Sequence, residues 1–513
     1  MNSLRRAEAA FAAELQRARP ELTDRWLHEL PGARAAVLGR LWRSLIVEQL
    51  PVDRARIAGP ARRAYDTGRD EPGLALRVDG RPQTHPAAVL EALGMPGSAT
   101  LRAEVEHSVV SLALSRAAAV PAGTGDLLSA ERSVVDGHPY HPGCRSRPGF
   151  SVAEQLAYAP EFGQQVSLAL LEVPARESVL VGDWPSALRG RDSILLPVHP
   201  WQLVHVPGLP GLPAEAARLE AAPLMSVRTL APADGGPHLK TSLSLRMTSA
   251  VRDISGASVR NSAALSDLLS ALVAKLDGSL QITRNLAAAA ALRDGVPSPD
   301  LAVLVRESPR RYAPPGTRIV PLAALAAHPP RLADPAAWLA ALSRLLFPPL
   351  LQLLDWGAAL EAHGQNVLVA LDPADHPVLL VYRDLADIRV SPSRLARAGL
   401  AQHAVSGHVV DDRPEVLRRK LLGSLLGGAL AALVAGLGGG DRHREDGLWS
   451  AVAEAAREAA VVLGDPDDRR ALLADPVPVK ALAAMRLEGR PPGDQWTDVP
   501  NPLADPDASR TGR

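Results

Sequence analysis

The sequence predicts an α+β chain of several domains, and three observations carry that expectation. From the N-terminus to about residue 125, apolar residues recur at three- and four-residue spacing, as in "RAAVLGRLWRSLIVEQL", the period of amphipathic helices. Then Pro and Gly punctuate short β-branched runs such as "ESVLVGDW", "SILLPVHPWQLVHV" and "LKTSLSLRM", which read as strands and turns around a central sheet. Beyond about residue 305 helical patterns return, interrupted by "NVLVALDPADHPVLLVYRD", two apolar strands joined by a turn with Asp-Pro and His-Pro. A chain of 513 residues is too long for one core. The divisions expected are a helical part over 1–128, a mixed or antiparallel sheet part over 129–305, and a mostly helical part with a hairpin over 306–513.

Lys+Arg 56 and Asp+Glu 56 cancel to a net charge of +0, which removes any general electrostatic case for nucleic acid or an anionic membrane. Any basic site must therefore be local. One cysteine cannot form an internal disulfide, and "MNSLRRAEAAFAAELQRARPEL" carries charges where a secretory leader needs an apolar run, so a reducing cytoplasm is expected. The segment "LLGSLLGGALAALVAGLGGG", 421–440, approaches the length of a membrane span. Its Gly and Ala richness within a charge-balanced region reads instead as a buried helix. The tail "ADPDASRTGR" reads as frayed.

Three constellations carry chemistry. In "DGHPYHPGCRSRPGFS", His138, His141 and Cys144 fall at three-residue intervals, a spacing that raises a zinc site. Each histidine precedes a proline, which favours extended or polyproline II backbone; with three residues per turn, both imidazoles would point the same way. Arg132, Arg145 and Arg147 flank them and favour a phosphate or carboxylate over a dication. An anion site, a metal site and a structural loop all stay open, with Cys144 read as a bystander.

In "PLMSVRTLAPADGGPHLKTSLSLRMTSAVRDIS", Leu239 to Met247 alternates, setting Lys240, Ser242, Ser244 and Arg246 on one face of a strand. Lys240 and Arg252 can share a ligand only if the chain turns near Thr248, and "TSA" reads as that turn, with Thr248 and Arg252 on one face of a following helical turn. A solvated sheet face is the bland alternative. In "LEAHGQNVLVALDPADHPVLLVYRDLADI", a helix is expected to end near His363-Gly364 and a hairpin to bring Asn366 beside Asp384. With Glu361 nearby, these are hard oxygen ligands suited to Mg²⁺ and nucleotide phosphates, as in kinase-like phosphotransferases. The position of a kinase base is, however, Gln365. No GxxxxGK[ST], GxGxxG at a βα unit, GxSxG or HExxH occurs, so nucleotide binding would need another design.

Taken in order, "GHPYHPGCRSRPGFS", "LPVHPWQ", "MSVRT", "HLKTSLSLRMTSAVR", "EAHGQN", "YRD" and "VKALAAMRLEG…NPL" resemble the NRPS-independent siderophore synthetases, the aerobactin-synthetase (IucA/IucC) family. The matches run from about residue 131 to 503, and the helical N-terminal part agrees in character only. The resemblance implies a cupped hand of thumb, fingers and palm, a homodimer, and ATP held between fingers and palm. It implies adenylation of a carboxylate, often citrate, with release of pyrophosphate, then attack by an amine, hydroxylamine or alcohol. By motif position, Ser226, Arg228, Thr229 and Lys240 would meet ATP phosphates, with His138 or His141 beside them. Thr248, Arg252, His363 and Gln365 would line the carboxylate pocket, and Glu361, Asn366 and Asp384 would serve nucleotide and Mg²⁺. His138, His141, Arg252 and His363 are the catalytic candidates, and Lys480 and Arg486 belong to a C-terminal motif. Arg145 departs from the family's lysine, exchanging a point charge for a fork. The alternatives are a kinase-like phosphotransferase and a catalytically silent binding protein.

Overall fold

The computed structural model describes residues 5–67, 71, 73–121, 123–208, 217–248, 250–400, 404–490 and 493–505. Ser249 of the expected "TSA" turn, Ala122 of the linker "VPAGTGD" and the tail from residue 506 lie outside them.

Helices Thr23–Val47 and Ala99–Ala118 form the centre of the N-terminal part, burying Trp26, Leu38, Leu41, Leu45, Leu101, Val105 and Leu112. Three short strands, Ile57–Ala58, Leu76–Val78 and Arg81–Gln83, form an antiparallel edge that the helical pattern did not announce; three-residue strands leave too little alternation to read. The same apolar core takes in Cys144, Val152 and Phe162, and Ala483 and Leu487 from near the C-terminus. The chain thus closes on itself: Glu48, at the end of the long helix, accepts the backbone N–H groups of Ala483 and Ala484 at 2.8 to 3.2 Å.

The middle of the chain builds an eight-stranded antiparallel sheet in the order 178–182, 285–293, 296–306, 238–241, 229–232, 218–223, 166–174, 193–198. The single strand expected over Leu239–Met247 is broken at Ser242. His238–Thr241 stays in the sheet with all four residues buried, whereas Leu243–Met247 leaves it to pair with Ala250–Arg252. The Ser242 hydroxyl donates to Pro299 O at 2.6 Å while its N–H still meets Ala302 O at 3.0 Å, and the ladder ends there. Thr248 and Arg252 therefore meet across a hairpin, not on a helical turn.

A four-stranded sheet follows, in the order 280–282, 377–382, 367–371, 318–321, with the first pair parallel and the others antiparallel. Strand Leu280–Ile282 runs after two residues, Thr283 and Arg284, into Asn285–Arg293 of the large sheet, so one stretch of chain serves both. Helix Pro335–Trp356 ends at Gly357, whose φ of 106° supplies the left-handed cap. That is earlier than the His363-Gly364 end expected from sequence, and an irregular stretch over 360–363 leads into a turn at 364–366. The hairpin itself is as read, with Val367 opposite Tyr382.

Two helical stretches, Pro335–Trp356 and Pro414–Gly438, are long and apolar enough to cross a membrane. Within 414–438, Leu421, Leu422, Leu425, Leu426, Leu430, Leu433 and Val434 are all buried in the core, as the buried-helix reading of 421–440 expects. This helix contains a π-turn at Leu425–Leu430, a local widening common at functional sites. Gly427 in that turn is required by packing, because a Cβ there would collide with Val479.

Candidate active site

The junction of the two sheets opens into a cavity of about 1250 Å³. Its walls come from all parts of the chain: Arg40 of the long N-terminal helix, His138, the 226–252 segment, the 361–366 stretch with Asp384, helix residues 420–436, and the 480–496 return. Ser226, Arg228, Lys240, Thr248, Arg252, Glu361, His363, Gln365, Asn366, Asp384, Lys480 and Arg486 all line it. Two of the expected residues do not. Thr229 faces a small adjoining pocket with Arg306 and Arg383, and His141 is buried with its Nε2 unpartnered.

The two histidines do not point the same way. Their rings stand edge to face at 6.1 Å, His138 open to the cavity and His141 turned into the protein. His138 Nδ1 accepts the N–H groups of Tyr140 and His141 at 3.2 and 3.1 Å, and His141 Nδ1 accepts Gly143 N–H at 2.8 Å. Burial, with nearby Arg486, Arg252 and Arg40, lowers His141 to about 3, and burial likewise holds His138 well below its ordinary value. The zinc reading fails on geometry. Cys144 sits in the N-terminal core against Ser108 at 3.4 Å, and among the described residues no group of three or more His, Cys, Asp or Glu side chains is placed to hold a metal.

The flanking arginines also differ from expectation. Arg147 donates to both oxygens of buried Glu161 at 2.9 and 3.2 Å. Arg145 donates to the carbonyls of Val135 at 2.5 Å and of Val134, with Glu161 at 3.8 Å. Arg132 donates to Gly163 O. Their forks fold the loop rather than present charge to an anion. The loop is further held by Arg40, whose Nε donates to His138 O at 3.1 Å, and by Arg43, stacked on Tyr140 at 4.5 Å.

The 226–252 segment is arranged differently. Arg228 Nη1 donates to the carbonyls of Arg252 and Asp253 at 2.6 Å each. Arg252 Nη2 donates to Met247 O at 3.0 Å and Thr248 Oγ1 at 2.9 Å. Burial and Arg252 bring Arg228 down to about 10. Arg228 thus stays charged at neutral pH, and burial lowers Arg252 against the pull of Glu361 and Asp384. Val227 and Thr248 have φ of 66° and 53°, outliers for β-branched residues, and Asp384, at 76°, is also left-handed. Such strain persists where surrounding structure enforces it, often at functional sites.

Opposite, Asp384 receives Lys240 Nζ on both oxygens at 2.7 Å, with Arg306 Nη1 at 3.8 Å. Burial pushes the Asp384 carboxyl up, but Lys240 and Arg306 outweigh it and hold it far below the carboxylate range. Burial lowers Lys240 to about 8 despite that partner. Glu361 Oε1 receives Lys480 at 3.1 Å and Lys420 at 3.3 Å. Against the effect of burial, these two lysines hold Glu361 ionised. Asn366 Nδ2 donates to Glu361 O, and Arg383 N–H to Asn366 O at 3.0 Å, which sets Asn366 beside Asp384 as the hairpin reading expects. Arg486 is occupied by Glu104 at 2.8 and 2.5 Å. Sequence reasoning missed Lys420, Arg306 and Asp387. Lys420 was visible only as the end of "RRK" before the apolar helix, with no spacing to mark it.

Residues 126–327 match the family described as IucA / IucC, and residues 336–494 match a family described as ferric iron reductase FhuF-like transporter. Staphyloferrin A synthase of Staphylococcus aureus is 23% identical over 432 residues, covering 74% of this chain and 73% of that protein. The N(2)-citryl-N(6)-acetyl-N(6)-hydroxylysine synthase of Vibrio mimicus is 32% identical over 162 residues, 25% and 27% of the two chains. The ATP-bound aerobactin synthetase IucA from a hypervirulent pathotype of Klebsiella pneumoniae superposes with a TM-score of 0.76 at 20% identity, over 91% of this chain and 99% of that one. Residues 126–327 thus carry the likeness to the IucA/IucC family, and the chain as a whole shares the fold of the aerobactin synthetase.

Proposed function

We propose that this protein is an ATP-dependent ligase. It adenylates a carboxylate, citrate or a related di- or tricarboxylic acid, releases pyrophosphate, and condenses the acyl-adenylate with an amine, hydroxylamine or alcohol. The carrying observation is the pairing of a cationic wall, Arg228, Lys240 and Arg252, with Asn366 and Asp384 across one cavity. The names of the relatives, a staphyloferrin synthase and a citryl-hydroxylysine synthase, support the substrate class.

A carboxylate becomes an electrophile by attacking the α-phosphorus of ATP, and charge then builds on phosphoryl oxygens. Arg228 and Arg252, held by neutral carbonyls and a hydroxyl, are preplaced to meet that charge without reorganising. Ser226 Oγ accepts Thr229 N–H at 3.1 Å, leaving its own proton for a phosphate oxygen. His138 offers Nε2 to the cavity, and Thr248, His363 and Gln365 flank the carboxylate. No protein nucleophile is needed. Mg²⁺ with the nucleotide would add Lewis-acid charge neutralisation. Asn366 and Asp384 stand at the cavity wall as hard oxygen donors, but Asp384 holds Lys240 on both oxygens and would take the ion only by releasing that ammonium. Glu361, carrying two ammonium groups on one oxygen, does not fit.

A kinase-like phosphotransferase is less well supported, because Gln365 offers no carboxylate base and the relatives are synthases. The reading includes a reducing, cytoplasmic setting, a homodimer and division near residues 128 and 305. Its test is hydroxylamine trapping with a panel of carboxylic acids, ATP and Mg²⁺. Hydroxamate with pyrophosphate is expected, and ADP as the sole product overturns it.

A further inference from the structure

Glu361 is the carboxylate that a metal reading would use, and its surroundings point elsewhere. One oxygen is occupied by Lys480 at 3.1 Å and Lys420 at 3.3 Å, and the other lies 3.9 Å from His363 Nε2. A dication on the first oxygen would stand beside two ammonium groups, a repulsion relieved only by expelling one. His363 Nδ1 accepts the backbone N–H of Gln365 at 3.2 Å. In the neutral ring the proton is therefore on Nε2, the nitrogen that faces Glu361.

Lys420 is buried, at 3% exposure, and reaches Asp387 at 2.9 Å as well as Glu361. It lies on the turn just before the π-turn at 425–430, where Ser424 Oγ donates to Lys420 O at 2.7 Å. Lys480 comes from the strand Val477–Lys480 on another side and is also held by Asp494 at 3.1 Å. Two lysines from separate elements thus fix one carboxylate, and that carboxylate faces a histidine on the cavity wall.

We propose that Lys420 is a positioning residue of this site: with Lys480 it fixes Glu361 as an ionised carboxylate facing His363 Nε2–H, so that Glu361 orients the histidine rather than ligating a metal. The inference rests on the ligase reading only for the claim that His363 then meets the substrate carboxylate. Buried carboxylates commonly orient a histidine through the nitrogen not used for function. Here Glu361 stands 3.9 Å from Nε2, so it orients the ring by its charge and leaves Nε2–H for the ligand.

The test uses Lys420→Met, Lys420→Arg and Glu361→Gln in the full chain, with ATP–pyrophosphate exchange measured separately against carboxylate and Mg·ATP. Lys420→Met is expected to lower kcat/KM for the carboxylate by about tenfold to a hundredfold, the scale for losing an outer partner of a site residue. The KM for Mg·ATP should stay unchanged, Lys420→Arg should recover most of the loss, and Glu361→Gln should reproduce it. A raised Mg²⁺ requirement in Glu361→Gln with Lys420→Met silent would overturn the proposal. NMR of the His363 Nε2–H proton gives a readout without turnover: its exchange with water should quicken in both Lys420→Met and Glu361→Gln, and unchanged exchange counts against the clamp. A wild-type chain that exchanges with no carboxylate sinks the ligase reading alone, because the NMR result stands apart from it.

Discussion

The loop 132–147 and the segment 226–252 are both arginine-bearing and both border the cavity, yet their charges do opposite work. Arg145 and Arg147 lie against Glu161, which two guanidinium groups bring to about 2 although burial alone would raise it. Arg228 and Arg252 are held by carbonyl oxygens and the Thr248 hydroxyl. A buried arginine paired with a carboxylate is neutralised and becomes part of the fold. One held by neutral acceptors with no carboxylate beside it is just as fixed but keeps its charge for a ligand; Arg145, bound to the carbonyls of Val134 and Val135, still has Glu161 at 3.8 Å. The partner, more than the arginine or its place in a motif, separates structure from chemistry.

Glu161→Gln tests the first half of that contrast and should have the largest effect. It leaves two buried guanidinium groups without their anion, a loss of about 3 to 5 kcal/mol of stability, read by urea unfolding. Adenylation per folded molecule should hold within a few-fold. The same carboxylate sets a pH window. Its folded pKa lies below its unfolded value, so the stability it contributes is present above about pH 4.5 and is lost as pH falls toward about 2. Glu161→Gln should flatten that part of the acid unfolding curve, and an unchanged curve would place the acid sensitivity elsewhere.

Arg228→Ala and Arg252→Ala test the second half. Each should slow ATP–pyrophosphate exchange by about 10² to 10³, or roughly 3 to 4 kcal/mol, the scale for one transition-state donor, with the unfolding midpoint little moved. Exchange within a few-fold of wild type, or a fall in stability comparable to that of Glu161→Gln, would erase the distinction. The smallest effect is expected of Arg145→Lys. A single ammonium cannot reach Val134 O and Val135 O as the fork does, so about 0.5 to 1.5 kcal/mol of stability should go with the lost hydrogen bond. Exchange activity should be unaltered, which would make the Arg145 departure a matter of folding.

The α+β class and the hairpin were legible because long helices and apolar strands carry their own periods. The break at Ser242 was not, since it depends on a hydroxyl finding Pro299 O across the sheet, a partner 57 positions away. The same limit governs the site. Residues within one motif, such as Asn366 and Asp384 on a hairpin, could be placed side by side from strand length alone. Lys420 and Lys480 reach Glu361 from positions 59 and 119 residues away, and no local pattern encodes such a meeting. Arg145 and Arg147 misled for a related reason: Glu161, which lies against both, stands beyond the end of the motif.

The two residues between strand Leu280–Ile282 and strand Asn285–Arg293 carry a mechanical consequence. Two residues span at most about 7 Å, and Thr283 N donates to Tyr382 O at 2.9 Å while Arg284 O accepts from Glu307 N at 3.0 Å, so even that length is stitched to both sheets. The sheets that bear Lys240 and Asp384 are spliced at this seam and cannot swing apart there like the halves of a hinge. At that seam the spacing of the two sheets is set once, during folding.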